Sequence, residues 1–321
     1  MINVSILAEQ NCIATGVYGT QELLEGANLF SEFSKGIKLF KPRIVSSDGK
    51  PVKAYTGTMI TPAGSVAEFP DPDIIIIPAF FWDVNSIADL TGHHKEWITG
   101  QYRTGTTIAA MCTGVFALAG TGLLDNRQAT TNWIFKNEFR KNFPDVLLEP
   151  EKMVTEEDNL VCSGAMAAYL RMILHLIEKF GSRELMLMCS KSILIDPGSK
   201  SQLPFMGFLP ERTHGDEIII KAQTLMEKKY NTGITITSIA DNSGICLRHF
   251  RRRFKNATGT TPNEYLQTLR IEKAKKILEN SDEHVSQISW QVGYEDTSSF
   301  SRSFKKQTGL SPKRYRETFG G

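Results

Sequence analysis

The sequence predicts two domains of different class: an α/β domain with a mostly parallel sheet flanked by helices, then an all-α domain holding two helix-turn-helix units. Three observations predict this. The first half alternates strand-like and helix-like segments. The run Ile74, Ile75, Ile76, Ile77 is apolar at every position, as a strand covered on both faces must be. Two segments near the C-terminus repeat each other about 50 residues apart, and a repeat of that period governs the reading of a fold. At 321 residues the chain also exceeds what one hydrophobic core usually serves.

In order, "NVSILA" reads as a strand, "GTQELLEGANLFSEF" as a helix, and "KLFKPRIVSS" and "DIIIIPAF" as strands. "HHKEWITGQYR" then reads as a helix and "TTIAAMC" as a strand. Periodicity is lost in "DPGSKSQLPFMGFLPERTHG", where three prolines and three glycines follow Asp196, the composition of a connecting segment. The expected division is residues 1–195 for the α/β domain, 196–215 for a linker and 216–321 for the helical domain.

The repeat pairs "SIADNSGICLRHFRRRFKNATGTTPNEYL" from Ser238 with "QISWQVGYEDTSSFSRSFKKQTGLSPKRYR" from Gln287. Ile239 and Gly244 match Ile288 and Gly293 at an offset of 49, while Phe250, Phe254, Gly259, Pro262 and Tyr265 match Phe300, Phe304, Gly309, Pro312 and Tyr315 at 50. One residue is therefore added in the second turn. Each copy reads as a short helix, a glycine turn and a second helix with Phe at i and i+4. Phe250 and Phe254 must pack inward with Leu247, which turns Arg248, Arg251, Arg252 and Lys255 outward. In the second copy Thr297, Ser298, Ser301 and Arg302 are left on the solvent side, with Lys305, Lys306 and Lys313 available for phosphates.

Charge supports a polyanionic partner for this part of the chain. Residues 231–321 carry 15 Lys+Arg against 9 Asp+Glu, whereas residues 1–230 carry 22 against 26. The expected partner is double-stranded DNA. Apolar residues at 41% and charged residues at 22% exclude disorder and collagen-like repeats. No stretch approaches the roughly 18 apolar residues of a membrane span, and the opening "MINVSILAEQNC" lacks the basic start of a signal peptide. The expectation is a cytoplasmic protein with no membrane partner.

Residues 216–321 resemble the DNA-binding domain of AraC-type transcriptional regulators, through "TGTTPNEYLQTLRIEKAKKIL" and "TGLSPKRYR". The resemblance implies two helix-turn-helix units joined by a helix at about Pro262 to Asn280, reading adjacent major-groove segments. By position it puts base contacts on Arg248, Arg251 and Arg252 and on Thr297, Ser298 and Arg302. Cys246 stands where the family usually has Ser, which removes a good N-cap. The first half resembles the class I glutamine amidotransferase-like fold of the PfpI superfamily, as fused to AraC-type domains in GlxA-like regulators. "IAAMCTGVFALAGTGLLDNRQATTNW" and "CSGAMAAYLRMILHLIEKFG" carry that likeness. It implies a Cys112 elbow between strand and helix, and often a homodimer.

A thiol at a helix N-terminus is expected to be acidified and reactive, whereas Cys12, Cys162, Cys189 and Cys246 read as buried hydrophobes. Hydrolase partners are missing, however. Thr113 and Asn132 stand where a His is found in superfamily members, Gly16 aligns with the usual acid, and Ala79, Phe80, Phe81 and Trp82 replace a Gly-Gly donor loop. His93 and His94 read as capping or decorating a surface helix and His175 as a partly buried helix residue. No HExxH or GxxxxGK[ST] occurs, so neither metal nor cofactor is expected. The favoured expectation is a non-enzymatic regulator binding a small-molecule effector against Phe80, Phe81, Trp82, Cys112, Thr113, Asn132, Trp133, Ser163 and Gly164. Two alternatives stay open: the same regulator gated by oxidation or modification of Cys112, and a cysteine hydrolase with a DNA-binding tail.

Overall fold

A computed structural model of the chain describes residues 1–81 and 94–321; Trp82 and His93 lie outside the described residues. The chain divides into two compact units, Met1–Gln202 and Leu203–Gly321.

The first unit is built on a seven-stranded sheet. Its strands are β1 (Ile2–Leu7), β2 (Phe40–Ser46), β5 (Gly64–Ser65), β6 (Ile74–Ile77), β7 (Thr107–Met111), β10 (Val154–Glu157) and β11 (Leu160–Ser163), in the order β10-β11-β7-β6-β1-β2-β5. Every pairing is parallel except β10 with β11. All four isoleucines of β6 are buried, because helices cover both faces of a parallel sheet; each contributes roughly 1.5–3 kcal/mol relative to an exposed position. The short pairs β3 (Val52–Lys53) with β4 (Met59–Ile60) and β8 (Gln128–Ala129) with β9 (Leu147–Leu148) stand apart from the main sheet. Among the described residues its helices are α1 (Ala14–Lys35), α2 (Lys95–Arg103), α3 (Gly114–Gly120), α4 (Lys136–Asn142), α5 (Ala168–Phe180) and α6 (Arg183–Ser192). Gly36, in the left-handed region at φ 69°, stops α1 with its N–H on Glu32 O, as a C-terminal glycine does.

The second unit is all helical. After α7 (Glu217–Lys229) come α8 (Ile236–Asn242) and α9 (Leu247–Thr258), then α10 (Pro262–Asn280), then α11 (Val285–Gln291), α12 (Thr297–Thr308) and α13 (Pro312–Phe319). The repeat seen in sequence is a repeat of geometry. Gly259 and Gly309 end their helices at φ 74°. Thr261 and Ser311 cap the next ones, each with Pro at the first turn, the position that lacks nothing by losing its N–H. Phe250–Phe254 and Phe300–Phe304 ring centroids lie 5.6 and 5.7 Å apart, and Phe254–Tyr265 and Phe304–Tyr315 both 5.3 Å. The extra residue of the second copy falls in the inter-helix turn, residues 292–296 against 243–246. Gly293 sits there at φ 88°, and a Cβ on it would meet Tyr230 O at 2.8 Å.

Helix α10 serves both copies. Tyr265, Leu266 and Leu269 pack into one core with Phe250 and Phe254, while Ile271, Ala274 and Leu278 pack into another with Phe300 and Phe304. One helix shared between two cores fixes the spacing of the two helix-turn-helix units.

The segment 196–215 carries ordered contacts on each side of the division between units. Met153 N donates to Lys200 O and Gln202 N to Glu151 O. Beyond Leu203, Phe208 packs edge-on against Tyr265 at 5.0 Å and Arg212 pairs with Glu227 at 2.6 Å. A fragment beginning at Leu203 is therefore expected to melt about 5–10 °C above one beginning at Asp216, since the shorter one loses the Phe208 ring from its core. Thermal unfolding of the two fragments checks this; equal midpoints would show that residues 203–215 add nothing to the helical unit.

Candidate functional site: the cysteine elbow and the cationic helix faces

Because the sheet is parallel, the carboxyl ends of β1, β6, β7 and β11 gather at one edge, where α/β proteins place their sites. Cys112 follows β7 directly and bends the chain into α3 with φ 55°, a conformation costly to a residue with a Cβ. Two hydrogen bonds hold it there: Cys112 N donates to Ser163 O at 3.0 Å and Thr131 Oγ1 donates to Cys112 O at 2.7 Å. The turn also needs Gly114, since a Cβ there would lie 2.1 Å from Pro78 O.

Around the sulfur, Asn132 Nδ2 approaches Cys112 Sγ at 3.6 Å. Thr113 Oγ1 is spent on the backbone of Phe80, accepting from its N–H at 2.8 Å and donating to its carbonyl at 2.5 Å. Ser163 is fully buried and, among the described residues, its hydroxyl has no hydrogen-bond partner. The geometry thus brings Phe80, Cys112, Thr113, Asn132, Ser163 and Gly164 together. Phe81 points away; it is 56% exposed and stacks on Tyr55 at 4.6 Å. Trp133 is half-buried in the short 3-10 turn that follows Asn132.

Several expectations are corrected here. Burial pushes the Cys112 thiol above its ordinary value, outweighing the Thr113 backbone N–H and the Asn132 amide that favour thiolate. Desolvation of the charged form exceeds the help of a short helix N-terminus, so the sequence's acidified cysteine is instead a protonated one near neutrality. Cys246, read as a buried hydrophobe, is exposed, because it occupies the N-cap of α9 without a side-chain cap bond. His94, read as capping or decorating a surface helix, does stand at the N-cap of α2, without a side-chain cap bond, but it is buried at 2% exposure; Glu9 and Ser47 both meet its Nε2, at 2.5 and 3.0 Å. In iodoacetamide at pH 7.5, Cys246 is expected to react at least about tenfold faster than Cys112. The Cys112 rate should still climb as pH passes 9, its thiolate fraction still growing; peptide mass analysis follows both.

The residue that sequence reasoning missed is Gln202. It is 3% exposed, and its carboxamide fills the space beside Gly164, where a Cβ would stand 2.2 Å from it. In sequence it sits in a Pro- and Gly-rich stretch with no periodicity, so nothing marks it as buried.

On the helical unit, Arg248, Arg251, Arg252 and Lys255 are exposed along α9, and among the described residues none of the four forms a salt bridge. Arg253, next to Arg252, turns back to pair with Asp216. On α12 the picture is tighter. Asp296 caps the helix through Ser299 N at 2.7 Å, Thr297 Oγ1 meets Ser289 Oγ at 3.3 Å, and Arg302 Nη2 donates to Ser299 Oγ at 3.0 Å. Ser298, Arg302, Lys305 and Lys306 are exposed; Thr297 and Ser301 are half-buried.

Among the described residues no helix is long and apolar enough to cross a membrane.

Comparison with known proteins agrees with both units. The DJ-1/PfpI family profile matches residues 13–179 and a helix-turn-helix domain profile matches residues 239–318. The HTH-type transcriptional regulators CdhR and GbdR of Pseudomonas aeruginosa are each 25% identical to the chain, over 87% and 98% of it and 82% and 84% of their own lengths. The crystal structure of Drosophila melanogaster DJ-1beta superposes on 61% of the chain and 98% of its own, with a TM-score of 0.52 and 17% identity, which shows the fold of the first unit. The chain belongs to the DJ-1/PfpI family and joins that domain to a helix-turn-helix domain of the AraC type.

Proposed function

We propose that the chain is a sequence-specific DNA-binding transcription regulator whose DJ-1/PfpI unit binds a small-molecule effector beside Cys112 without turning it over. The duplicated helix-turn-helix geometry carries the first part. Two recognition helices, α9 and α12, are held by one connecting helix and present outward Arg248, Arg251, Arg252, Lys255, Arg302, Lys305 and Lys306, which form no salt bridge among the described residues. Arg248, Arg251 and Arg252 read bases in one major-groove segment and Lys255 holds phosphate. Thr297, Ser298, Ser301 and Arg302 face the next segment, with Lys305 and Lys306 on its phosphates. The names of the relatives, transcriptional regulators throughout most of their length, support the same reading.

For the first unit, the buried and protonated thiol favours binding over nucleophilic chemistry, which uses thiolate. The same burial disfavours gating by oxidation, which selects exposed thiolates. Ser163 supplies an unspent buried hydroxyl and Asn132 an amide, polar anchors of the kind a small-molecule pocket uses. Pairing of the first units into a homodimer would place two such DNA-binding units on one operator and raise affinity through effective concentration.

Selection of bound fragments from genomic DNA tests this. The expected outcome is a motif of two contacted segments about 10 base pairs apart, guanine-rich in one of them, beside genes whose products point to the effector. Recovery of fragments without any shared motif would remove the sequence-specific reading.

A further inference from the structure

Gln202 is the last residue of the first unit, and its side chain is tied down more thoroughly than its place in the sequence suggests. Oε1 accepts from Ala165 N at 2.7 Å. Nε2 lies 2.9–3.3 Å from four oxygens: Thr130 Oγ1, Thr131 O, Pro150 O and Lys152 O. A carboxamide has two N–H groups, so four acceptors converge on two donors and the amide is held from every side. Its backbone is zipped as well, residues 200–202 running beside 151–153 through Met153 N to Lys200 O and Gln202 N to Glu151 O.

The segments this amide joins are the two that clasp the elbow. Thr131, whose carbonyl accepts from Gln202, donates its hydroxyl to Cys112 O. Ser163, which takes the Cys112 N–H, lies two residues before Ala165, whose N–H Gln202 accepts. Leu203, the next residue in the chain, begins the second unit.

We propose that Gln202 is a positioning residue that couples the Cys112 elbow to the segment joining the two units. Occupation of the elbow displaces Thr131 or the 163–165 strand end, the carboxamide loses its matched partners, and residues 200–202 detach from 151–153. In the other direction, release of Gln202 loosens the elbow. The reading rests on the proposal that the elbow is the effector site, yet the coupling is measurable without an effector.

The experiment uses the full chain with Cys246→Ser, which removes the exposed thiol, and methyl methanethiosulfonate as the probe. Cys112 sulfur displaces methanesulfinate and keeps a thiomethyl group. Two rates are followed by peptide mass: labelling of Cys112, and tryptic cleavage after Lys200. In the parent, thiomethylated Cys112 should raise cleavage after Lys200 about tenfold. Gln202→Met, which keeps the length but not the hydrogen bonds, should be cleaved at the raised rate with or without label. Its Cys112 should label about tenfold faster, since labelling and cleavage both follow the population of the loosened form, and the free-energy coupling that sets this population is reciprocal. Gln202→Asn, a carboxamide too short to reach, serves if the Met variant fails to fold. Cleavage that ignores the label, or Cys112 labelling that is unchanged or undetectable in both chains, overturns the proposal. A chain whose two rates stay coupled, but whose DNA affinity no small molecule alters, would remove the effector reading and leave this coupling standing.

Discussion

Phe254→Ala and Phe304→Ala are each expected to destabilise the helical unit by about 3–5 kcal/mol and to abolish DNA binding at 37 °C. Both rings are fully buried, each flanked by a Phe one turn earlier and a Tyr from the following helix at matching distances. Removing either leaves a cavity that the shared helix α10 cannot fill by moving, because its other face is committed to the second core. A small domain has only about 5–15 kcal/mol to lose. Equal costs for the two variants would show that the repeat is energetic as well as geometric. Urea unfolding of the 203–321 fragment measures both, and a cost below about 1 kcal/mol for either would mean that the core relaxes around it.

Arg252→Ala and Arg302→Ala are expected to differ in kind. Arg252 is exposed, and nothing among the described residues competes for it. Its guanidinium can pair with guanine O6 and N7, at about 1–3 kcal/mol, so Arg252→Ala should weaken the best operator about 5- to 150-fold and erase preference at one base pair. Arg302 is already bonded to Ser299 on its own helix, so part of its gain on binding DNA is offset by the bond it leaves, and a smaller loss is expected. Lys305→Ala should weaken all sequences alike and reduce the salt slope by about 0.9. Binding series on single-base operator variants separate these outcomes. A uniform loss for Arg252→Ala across every variant would make that arginine a phosphate contact.

Much of the fold was legible because it depends on local pattern. Four consecutive β-branched isoleucines that end at Pro78 fit a short strand covered on both faces, and the Phe, Gly, Pro and Tyr positions repeated at 50 residues imply equal helices with equal stops. Even the extra residue of the second turn shows in the offset of Ile239 and Ile288. The cationic face of α9 follows from its periodicity too, since burying Phe250 and Phe254 leaves Arg251 and Arg252 no other direction.

The site in the first unit depended on what surrounds each group. Sequence placed Cys112 at a helix start and inferred an acidified thiol; the structure buries the residue, with Asn132 Nδ2 against its sulfur, and desolvation reverses the sign. Cys246 and His94 exchanged their expected environments for the same reason, since exposure is a property of neighbours distant in sequence: His94 meets Glu9 and Ser47, 85 and 47 residues away. Gln202 is the extreme case. Its amide is satisfied by atoms 37 to 72 residues distant, and a polar residue in a stretch rich in Pro and Gly gives no sign that five oxygens and nitrogens elsewhere in the chain converge on it. Local pattern determined which elements this protein has; only the packing of separated segments decided which of its polar groups are spent and which are free.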